Sequence, residues 1–185
     1  VVKNYTGDRL NFGLAAEQAR QRGLRVETVL VADDVALPEL LQPRGVAGTL
    51  LVHKIAGALA ERGADLDAVA GTARRAASQI QTIGLALDGC HPPGHGEERR
   101  LTAQEAELGL GIHGEPGTEK IALADADRLV EQMLARLPSE LPDSLMLINN
   151  LGGVPPLEMS LLTRSLLRSR LRHSVKLLLG PAPLM

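Results

Sequence analysis

Short apolar runs that are typical of β-strands alternate along this chain with longer segments that have helical periodicity. The strands are predicted at 1–6, 24–31, 83–87, 106–113, 145–149 and 174–179. The helices are predicted at 9–22, 46–61, 66–81, 126–137 and 155–170. Because strand–helix alternation is typical of α/β proteins, this order predicts two α/β subdomains with mixed sheets.

A boundary between the two subdomains is expected near residue 80, where a pair of long helices ends. The first domain then covers 1–80 and the second covers 81–185. Two helices are preceded by residues that favour the N-cap position, Asp65 and Asp125, whose carboxylates can accept a hydrogen bond from the first helical turn.

The composition is that of an ordinary globular protein and excludes several function classes. Of 185 residues, 44% are hydrophobic and 23% are charged, and the net charge is −2. The charges are scattered, so nothing indicates nucleic acid or a membrane surface as a partner. No apolar run approaches the roughly 20 residues that span a bilayer. A single cysteine, Cys90, excludes an internal disulfide, and we therefore expect a cytoplasmic protein.

Both ends of the sequence resemble cuts through the interior of a fold. The chain opens on an apolar strand at Val1 without an initiator methionine, and it stops soon after the apolar run 177–179. We therefore expect a fragment of a longer protein that is truncated at both ends.

One candidate for chemistry is His113, which lies in the glycine-rich segment 109–117. Imidazole acts as an acid, a base or a nucleophile near neutral pH, and glycine lets a ligand or another backbone approach closely. A turn in which His113 only hydrogen-bonds to the backbone explains the same pattern. Glu115 is placed to orient the imidazole, although a solvated turn residue is the simpler interpretation.

A second candidate is the segment 3–8, which runs from the end of the first strand into a helix. Ligands of α/β sheets bind at the carboxyl ends of strands, and Lys3 and Asp8 stand at such an end. An ordinary N-cap explains Asp8 equally well. Lys3 is harder to explain structurally, because a buried ammonium needs a partner.

The remaining polar clusters have simpler explanations. Cys90, His91 and His95 lack a fourth ligand at a spacing suited to zinc, which favours a surface loop. No GxxxxGK[ST] loop is present and no GxGxxG motif opens a helix after a strand, so the sequence shows no nucleotide site of its own. His53 belongs to no constellation of reactive groups. The arginines of 168–172 are best interpreted as a solvated face.

Several long motifs together resemble the signature of the dihydroxyacetone kinases. They are KNYTGDRLNFGLA at 3–15, RGVAGT at 44–49, VHKIAG at 52–57, LGLGIHGEPG at 108–117 and NNLGG at 149–153. Taken alone, the last of these is best interpreted as a tight turn. The motifs occur in the family's order and cover essentially the whole chain.

The resemblance implies the substrate-binding part of such a kinase, which has two α/β domains. Residues 1–80 would then form the later half of the first domain, and 81–185 would form most of the second. His113 matches the histidine that bonds covalently to the carbonyl carbon of dihydroxyacetone. Asp8 matches the carboxylate that serves in acid/base chemistry, and Lys3 matches a lysine that hydrogen-bonds the substrate.

The resemblance also implies partners outside this chain. ATP and Mg²⁺ would be bound by an all-helical nucleotide-binding domain that is absent here, and a homodimer is expected. Arg9, Gly13 and the short loop 38–43 resemble the ATP-dependent branch of the family. Two alternatives stay open: a kinase subunit that is coupled to a phosphotransferase system, and a dihydroxyacetone-binding sensor or co-activator without turnover.

Overall fold

The structure is a computed structural model that describes residues 1–36, 43–88, 101–112 and 115–185. The chain divides into two compact units, Val1–Thr82 and Ile83–Met185. Both units combine short strands with helices, so the α/β class expected from the sequence is confirmed. The candidate zinc ligands Cys90, His91 and His95 lie outside the described residues.

The first unit is built around a short parallel pair of strands. Its elements are β1 (Val2–Lys3), α1 (Thr6–Gln21), β2 (Leu30–Val31), α2 (Thr49–Glu61) and α3 (Leu66–Gln79). Val2 pairs with Leu30 and Lys3 pairs with Val31, and α1 provides the crossover that a parallel pair requires.

Small and β-branched residues form the core of this first unit. The buried members come from the end of the sheet and from one face each of α2 and α3: Val29, Val31, Val52, Ala56, Ala70 and Ala73. Because alanine has so small a side chain, α2 and α3 can pack closely over the strands without aromatic residues.

The second unit contains two sheets. Its elements are β3 (Leu85–Ala86), β4 (Glu105–Leu108), β5 (Glu119–Ala122), α4 (Ala126–Leu134), β6 (Ser144–Asn149), α5 (Pro156–Arg168), a 3₁₀ turn (Arg170–His173) and β7 (Val175–Ala182). Strands β3, β4 and β5 are antiparallel in that order, whereas β6 and β7 are parallel. Its core joins α4, α5 and the 3₁₀ turn through Val130, Leu134, Leu166 and Leu171.

Two helix starts follow the prediction and one does not. The Asp65 carboxylate accepts a hydrogen bond from the N–H of Ala68 at 2.8 Å, and Asp125 does the same for Arg128 at 2.9 Å, so both are N-caps. The N-cap interpretation of Asp8 is wrong, because α1 begins at Thr6.

Strands β1 to β4 are shorter than predicted, β6 and β7 are longer, and β5 was not predicted. Only Leu30–Val31 of 24–31 is a strand. The predicted strand 106–113 stops at Leu108, because Gly109 takes a φ of +74° that leaves the extended conformation. The unpredicted β5 carries two charged residues and is mostly exposed, so it lacks an apolar run that would reveal it.

Candidate functional site

Lys3 and Asp8 lie where β1 turns into α1. Tyr5 occupies the N-cap position in an extended conformation. Its N–H donates to the Lys3 carbonyl at 2.8 Å, and its carbonyl accepts from the N–H of Arg9 at 2.9 Å. This tight connection places the last residue of the strand and the first turn of the helix at one end of the sheet.

Asp8 is the third residue of α1 and is partly exposed. The positive end of the helix dipole stabilises a carboxylate in the first turn. Among the described residues, nothing hydrogen-bonds to this carboxylate or forms an ion pair with it. Since Asp8 does not cap the helix, the structural explanation considered for it does not apply.

Lys3 is partly buried at the end of β1, opposite Val31. Within the part of the chain that the structure describes, no carboxylate lies within ion-pairing distance of its ammonium. Its charge nevertheless acts on a neighbour. Partial burial lowers the pKa of His53 on α2, and the positive charges of the N-terminus and of Lys3 lower that pKa further.

The segment 43–48 packs tightly against this strand end. A Cβ added to Gly45 would lie 2.3 Å from the Val31 carbonyl oxygen, 2.7 Å from the Asn4 nitrogen and 2.9 Å from the Lys3 Cα. The Asn4 side-chain amide donates to the Pro43 carbonyl at 2.7 Å. Only glycine allows the backbone to approach this closely, which explains the RG in the RGVAGT motif.

Asp33 follows β2 and fixes the same segment from the other side. Its side chain is almost completely buried, with the residue 1% exposed. One carboxylate oxygen, Oδ1, accepts from the N–H of Val46 at 2.7 Å, and Oδ2 accepts from the N–H of Gly48 at 2.8 Å. The Thr82 hydroxyl also donates to Oδ2, at 2.5 Å.

Asp34 forms a buried ion pair next to it. Its Oδ2 accepts from the Arg44 Nε at 2.7 Å and from Nη2 at 2.6 Å, and its Oδ1 accepts from the N–H of Ala36. Neither aspartate was among the candidate residues identified from the sequence. Two adjacent carboxylates directly after an apolar strand were the signal available, since the ends of parallel strands carry functional groups.

His113 lies outside the described residues, but the base of its loop is described. β4 and β5 pair as a hairpin that is last paired at Leu108 and Glu119. Beyond it, the N–H of Gly111 donates to the Glu115 carbonyl at 3.0 Å. The loop that contains His113 is therefore closed at its base by an antiparallel connection.

A buried carboxylate anchors this loop as well. Glu107 is 3% exposed, and its Oε1 accepts from the N–H of Gly117 at 2.8 Å. A Cβ added to Gly117 would lie 2.1 Å from the Leu108 carbonyl oxygen. The EPG end of the motif, at 115–117, is thus fixed by close packing and by a charge-assisted hydrogen bond.

The NNLGG motif forms the predicted tight turn after β6. Asn150 accepts from the N–H of Gly152 and donates to the Val154 carbonyl, both at 2.9 Å. Asn149 accepts from the N–H groups of Leu184 and Met185. These contacts are structural and give the motif no ligand-binding group in this arrangement.

The structure therefore brings Lys3 and Asp8 to one end of a parallel strand pair, and it places neither relative to His113. No group of three or more metal-ligating side chains occurs among the described residues. No helix in the same part of the chain is long and apolar enough to cross a membrane.

A parallel strand pair with charged, unpaired groups at its carboxyl end is typical of α/β ligand-binding domains. A family model described as "Dak1 domain" matches residues 1–178, and the chain belongs to this family. The resemblance to the dihydroxyacetone kinases is thereby confirmed, and its relatives carry that name. The chain is 49% identical over 188 residues to the dihydroxyacetone kinase of Citrobacter freundii, which covers all of this chain and 34% of that protein.

A second relative is the triokinase/FMN cyclase of Homo sapiens, 43% identical over 189 residues, which covers 96% of this chain and 33% of that protein. The chain thus spans about a third of the length of these curated relatives.

Solved structures agree with the sequence relatives. The crystal structure of the C. freundii kinase in complex with AMP-PNP and Mg²⁺ matches with a TM-score of 0.92, over 98% of this chain and 34% of that one, at 49% identity. A dihydroxyacetone kinase operon co-activator matches with a TM-score of 0.89, over 96% of this chain and 58% of that one, at 28% identity.

Proposed function

We propose that this chain is the substrate-binding part of an ATP-dependent dihydroxyacetone kinase. The observation that carries the proposal is that Lys3 and Asp8, at the carboxyl end of β1 in a chain of this family, have no charged partner within the described ranges. In this proposal the first unit forms the later part of one α/β domain, and the second unit forms most of another.

Lys3 and Asp8 have different roles toward the substrate. The Lys3 ammonium donates a hydrogen bond to a substrate oxygen and so orients the molecule. Asp8 accepts the proton of the terminal hydroxyl while that oxygen takes the phosphoryl group from ATP, which leaves as ADP.

His113 captures the substrate covalently. A nitrogen lone pair of the neutral imidazole forms a bond to the carbonyl carbon, and the π electrons of the C=O bond move to oxygen. That oxygen takes up a proton while the other ring nitrogen releases one, so the product is a neutral hemiaminal. Glycerol has no carbonyl group and cannot be captured, so the step separates two molecules of similar size that shape alone separates poorly.

Other groups of the kinase lie outside this chain in the proposal. The described residues offer no cluster that fits Mg²⁺, and the sequence contains no phosphate-binding loop. ATP and Mg²⁺ are therefore assigned to an all-helical nucleotide-binding domain of the longer protein, which we propose to be a cytoplasmic homodimer.

The test is phosphorylation by the full-length protein, with dihydroxyacetone and glycerol offered separately and His113→Ala alongside. We expect ATP-dependent turnover of the ketone only, and loss of that turnover in the variant. Equal use of glycerol would contradict the role of His113. Absence of any turnover with ATP would contradict the kinase proposal itself.

A dihydroxyacetone sensor is the second candidate, because a co-activator shares the fold with a TM-score of 0.89. The presence of Lys3, Asp8 and His113 fits binding as well as catalysis. The two candidates separate in the same assay: a sensor binds dihydroxyacetone and leaves ATP unchanged. Turnover only with a separate phosphoprotein donor would indicate instead a subunit coupled to a phosphotransferase system.

A further inference from the structure

A buried carboxylate, Asp33, is connected to the end of β1 through one short segment. The Asp33 carboxylate accepts hydrogen bonds from the N–H groups of Val46 and Gly48, and so fixes the backbone on both sides of residue 47. Charge-assisted hydrogen bonds from a buried carboxylate are short and directional. The segment 44–48 is therefore held to the end of β2 at two points.

The same segment touches the strand that carries Lys3. The Gly45 backbone lies against the Lys3 Cα and the Asn4 nitrogen, so closely that no side chain fits between them. Asn4 is held on its other side by its N–H, which donates to the Val31 carbonyl at 2.9 Å. A shift of 44–48 toward or away from β2 must therefore move the end of β1 or leave it unsupported.

Neighbouring contacts make this anchor rigid. The N–H of Thr82 donates to the Asp33 carbonyl at 2.6 Å, in addition to the hydroxyl contact on Oδ2. Asp34 and Arg44 pair in a site where the side chains are 5% and 9% exposed. Because a buried ion pair is costly to break, Arg44 has little freedom to move away from β2.

We propose that Asp33 is a positioning residue for the substrate site: through Gly45 it sets the position of Lys3 and of the turn that leads to Asp8. Asp33 itself touches no reacting atom in this proposal. The inference rests on the proposed function, because it assigns Lys3 and Asp8 to the binding and reaction of dihydroxyacetone.

Thr82 gives the sharpest test, because a single hydroxyl can be removed without changing side-chain shape. In the full-length protein, Thr82→Val removes the hydroxyl that donates to the Asp33 carboxylate, and Thr82→Ser keeps that hydroxyl. We expect KM for dihydroxyacetone to rise about threefold in Thr82→Val and to stay near the wild-type value in Thr82→Ser.

Asp33→Asn gives the stronger perturbation, because the side-chain amide places an N–H donor where the carboxylate accepts hydrogen bonds from backbone N–H groups. A misplacement of about 1 Å can reduce catalysis on the order of 100-fold, so we expect kcat/KM for dihydroxyacetone to fall between about 10- and 100-fold. KM for ATP should stay within about twofold, because the nucleotide is bound elsewhere.

Val52→Ala is the matched control for lost stability. Val52 is fully buried in the core of the same unit, and its N–H donates to the Gly48 carbonyl, a backbone bond that alanine keeps. A merely destabilised enzyme has a smaller active fraction, which lowers apparent kcat and leaves both KM values unchanged. Asp33→Asn should differ from this control by its raised KM for dihydroxyacetone.

Hydrogen exchange measures the coupling between Asp33 and the end of β1 in the absence of substrate. We expect the Asn4 amide to exchange faster in Thr82→Val and Asp33→Asn, together with the amides of Val46 and Gly48. Faster exchange at Val46 and Gly48 alone, with KM unchanged in an active enzyme, would overturn the inference and leave the proposed function intact. A wild-type protein without turnover of dihydroxyacetone would overturn the proposed function, and this inference with it.

Discussion

Charged side chains near the end of β1 fall into paired and unpaired groups. Asp34 and Arg44 pair with each other in a buried site, whereas Lys3 and Asp8 have no partner among the residues that the structure describes. A buried charge without a partner is costly, so pairing stabilises the framework. The partly exposed charges stay available for a ligand.

Asp8→Asn should reduce kcat of the full-length kinase by about 10²- to 10⁴-fold, the usual contribution of a general base. KM for dihydroxyacetone should change little, because the amide keeps the shape of the side chain. Steady-state kinetics check this expectation. Asp67→Asn is the matched control, since Asp67 also lies in the first turn of a helix but pairs with Arg25 on the surface. Equal losses in both variants would rule out a specific role for Asp8.

His53 makes the free energy of unfolding depend on pH. Partial burial lowers its pKa in the folded state, and the charges of the N-terminus and of Lys3 lower it further, whereas the unfolded chain keeps the ordinary value of 6.5. Between these two values the unfolded state binds more protons, so stability falls as pH drops below about 6.5 and is fully present above it. When denaturation is measured from pH 5 to 8, the stability of His53→Gln should decline less toward low pH than that of the wild type. An unchanged pH dependence would contradict this account.

The connections between elements depend on side chains that reach backbone groups. Glu107 holds the loop after β4, and Asp33 holds the loop before α2. Arg170 does the same for the end of α4: its guanidinium donates to the carbonyls of Leu134, Leu137, Pro138 and Ser139. Arg170 is exposed, as the interpretation of 168–172 as a solvated face predicts, and it also fixes the end of α4.

Arg170→Ala should lower the free energy of unfolding by about 1 kcal/mol, because carbonyls at the end of α4 lose their donor while water replaces part of it. Arg172→Ala is the matched control. Arg172 lies two residues away in the same 3₁₀ turn, and its side chain makes no hydrogen bond within the described part of the chain. Chemical denaturation of both variants measures the difference. A loss in Arg172→Ala as large as in Arg170→Ala would show that charge alone matters.

Gly117→Ala should destabilise the β4–β5 connection by about 1–3 kcal/mol, because the new methyl group meets the Leu108 carbonyl. Gly57→Ala is the control: it lies within α2 with open space around its Cβ position, and alanine there should stabilise by roughly 0.5–1 kcal/mol. Opposite signs in thermal denaturation are expected. An unchanged stability of Gly117→Ala would mean that the loop accommodates the new methyl group without a cost in free energy.

At the scale of the whole chain, the sequence predicted the order of most elements because periodicity and N-caps are local signals. The helices α3 and α4 began at the predicted Asp65 and Asp125. β5 was missed because its stability comes from pairing with β4, which no local pattern reveals. The roles of Asp33 and Thr82 depend on contacts 15 and 49 residues apart in sequence, for the same reason.

The proposed covalent capture has a consequence for the stability of the whole molecule. A ligand that binds only the folded state stabilises it, by about 2.7 kcal/mol at a concentration 100 times its Kd. Dihydroxyacetone should therefore raise the Tm of the full-length protein, whereas glycerol at the same concentration should not. His113→Ala and Lys3→Met should both lose the shift, the first because no bond forms and the second because the substrate loses its donor. The surface variant Asp67→Asn should keep it. A shift with glycerol equal to that with dihydroxyacetone would show that the site recognises hydroxyl groups alone, and that the carbonyl group plays no part in binding.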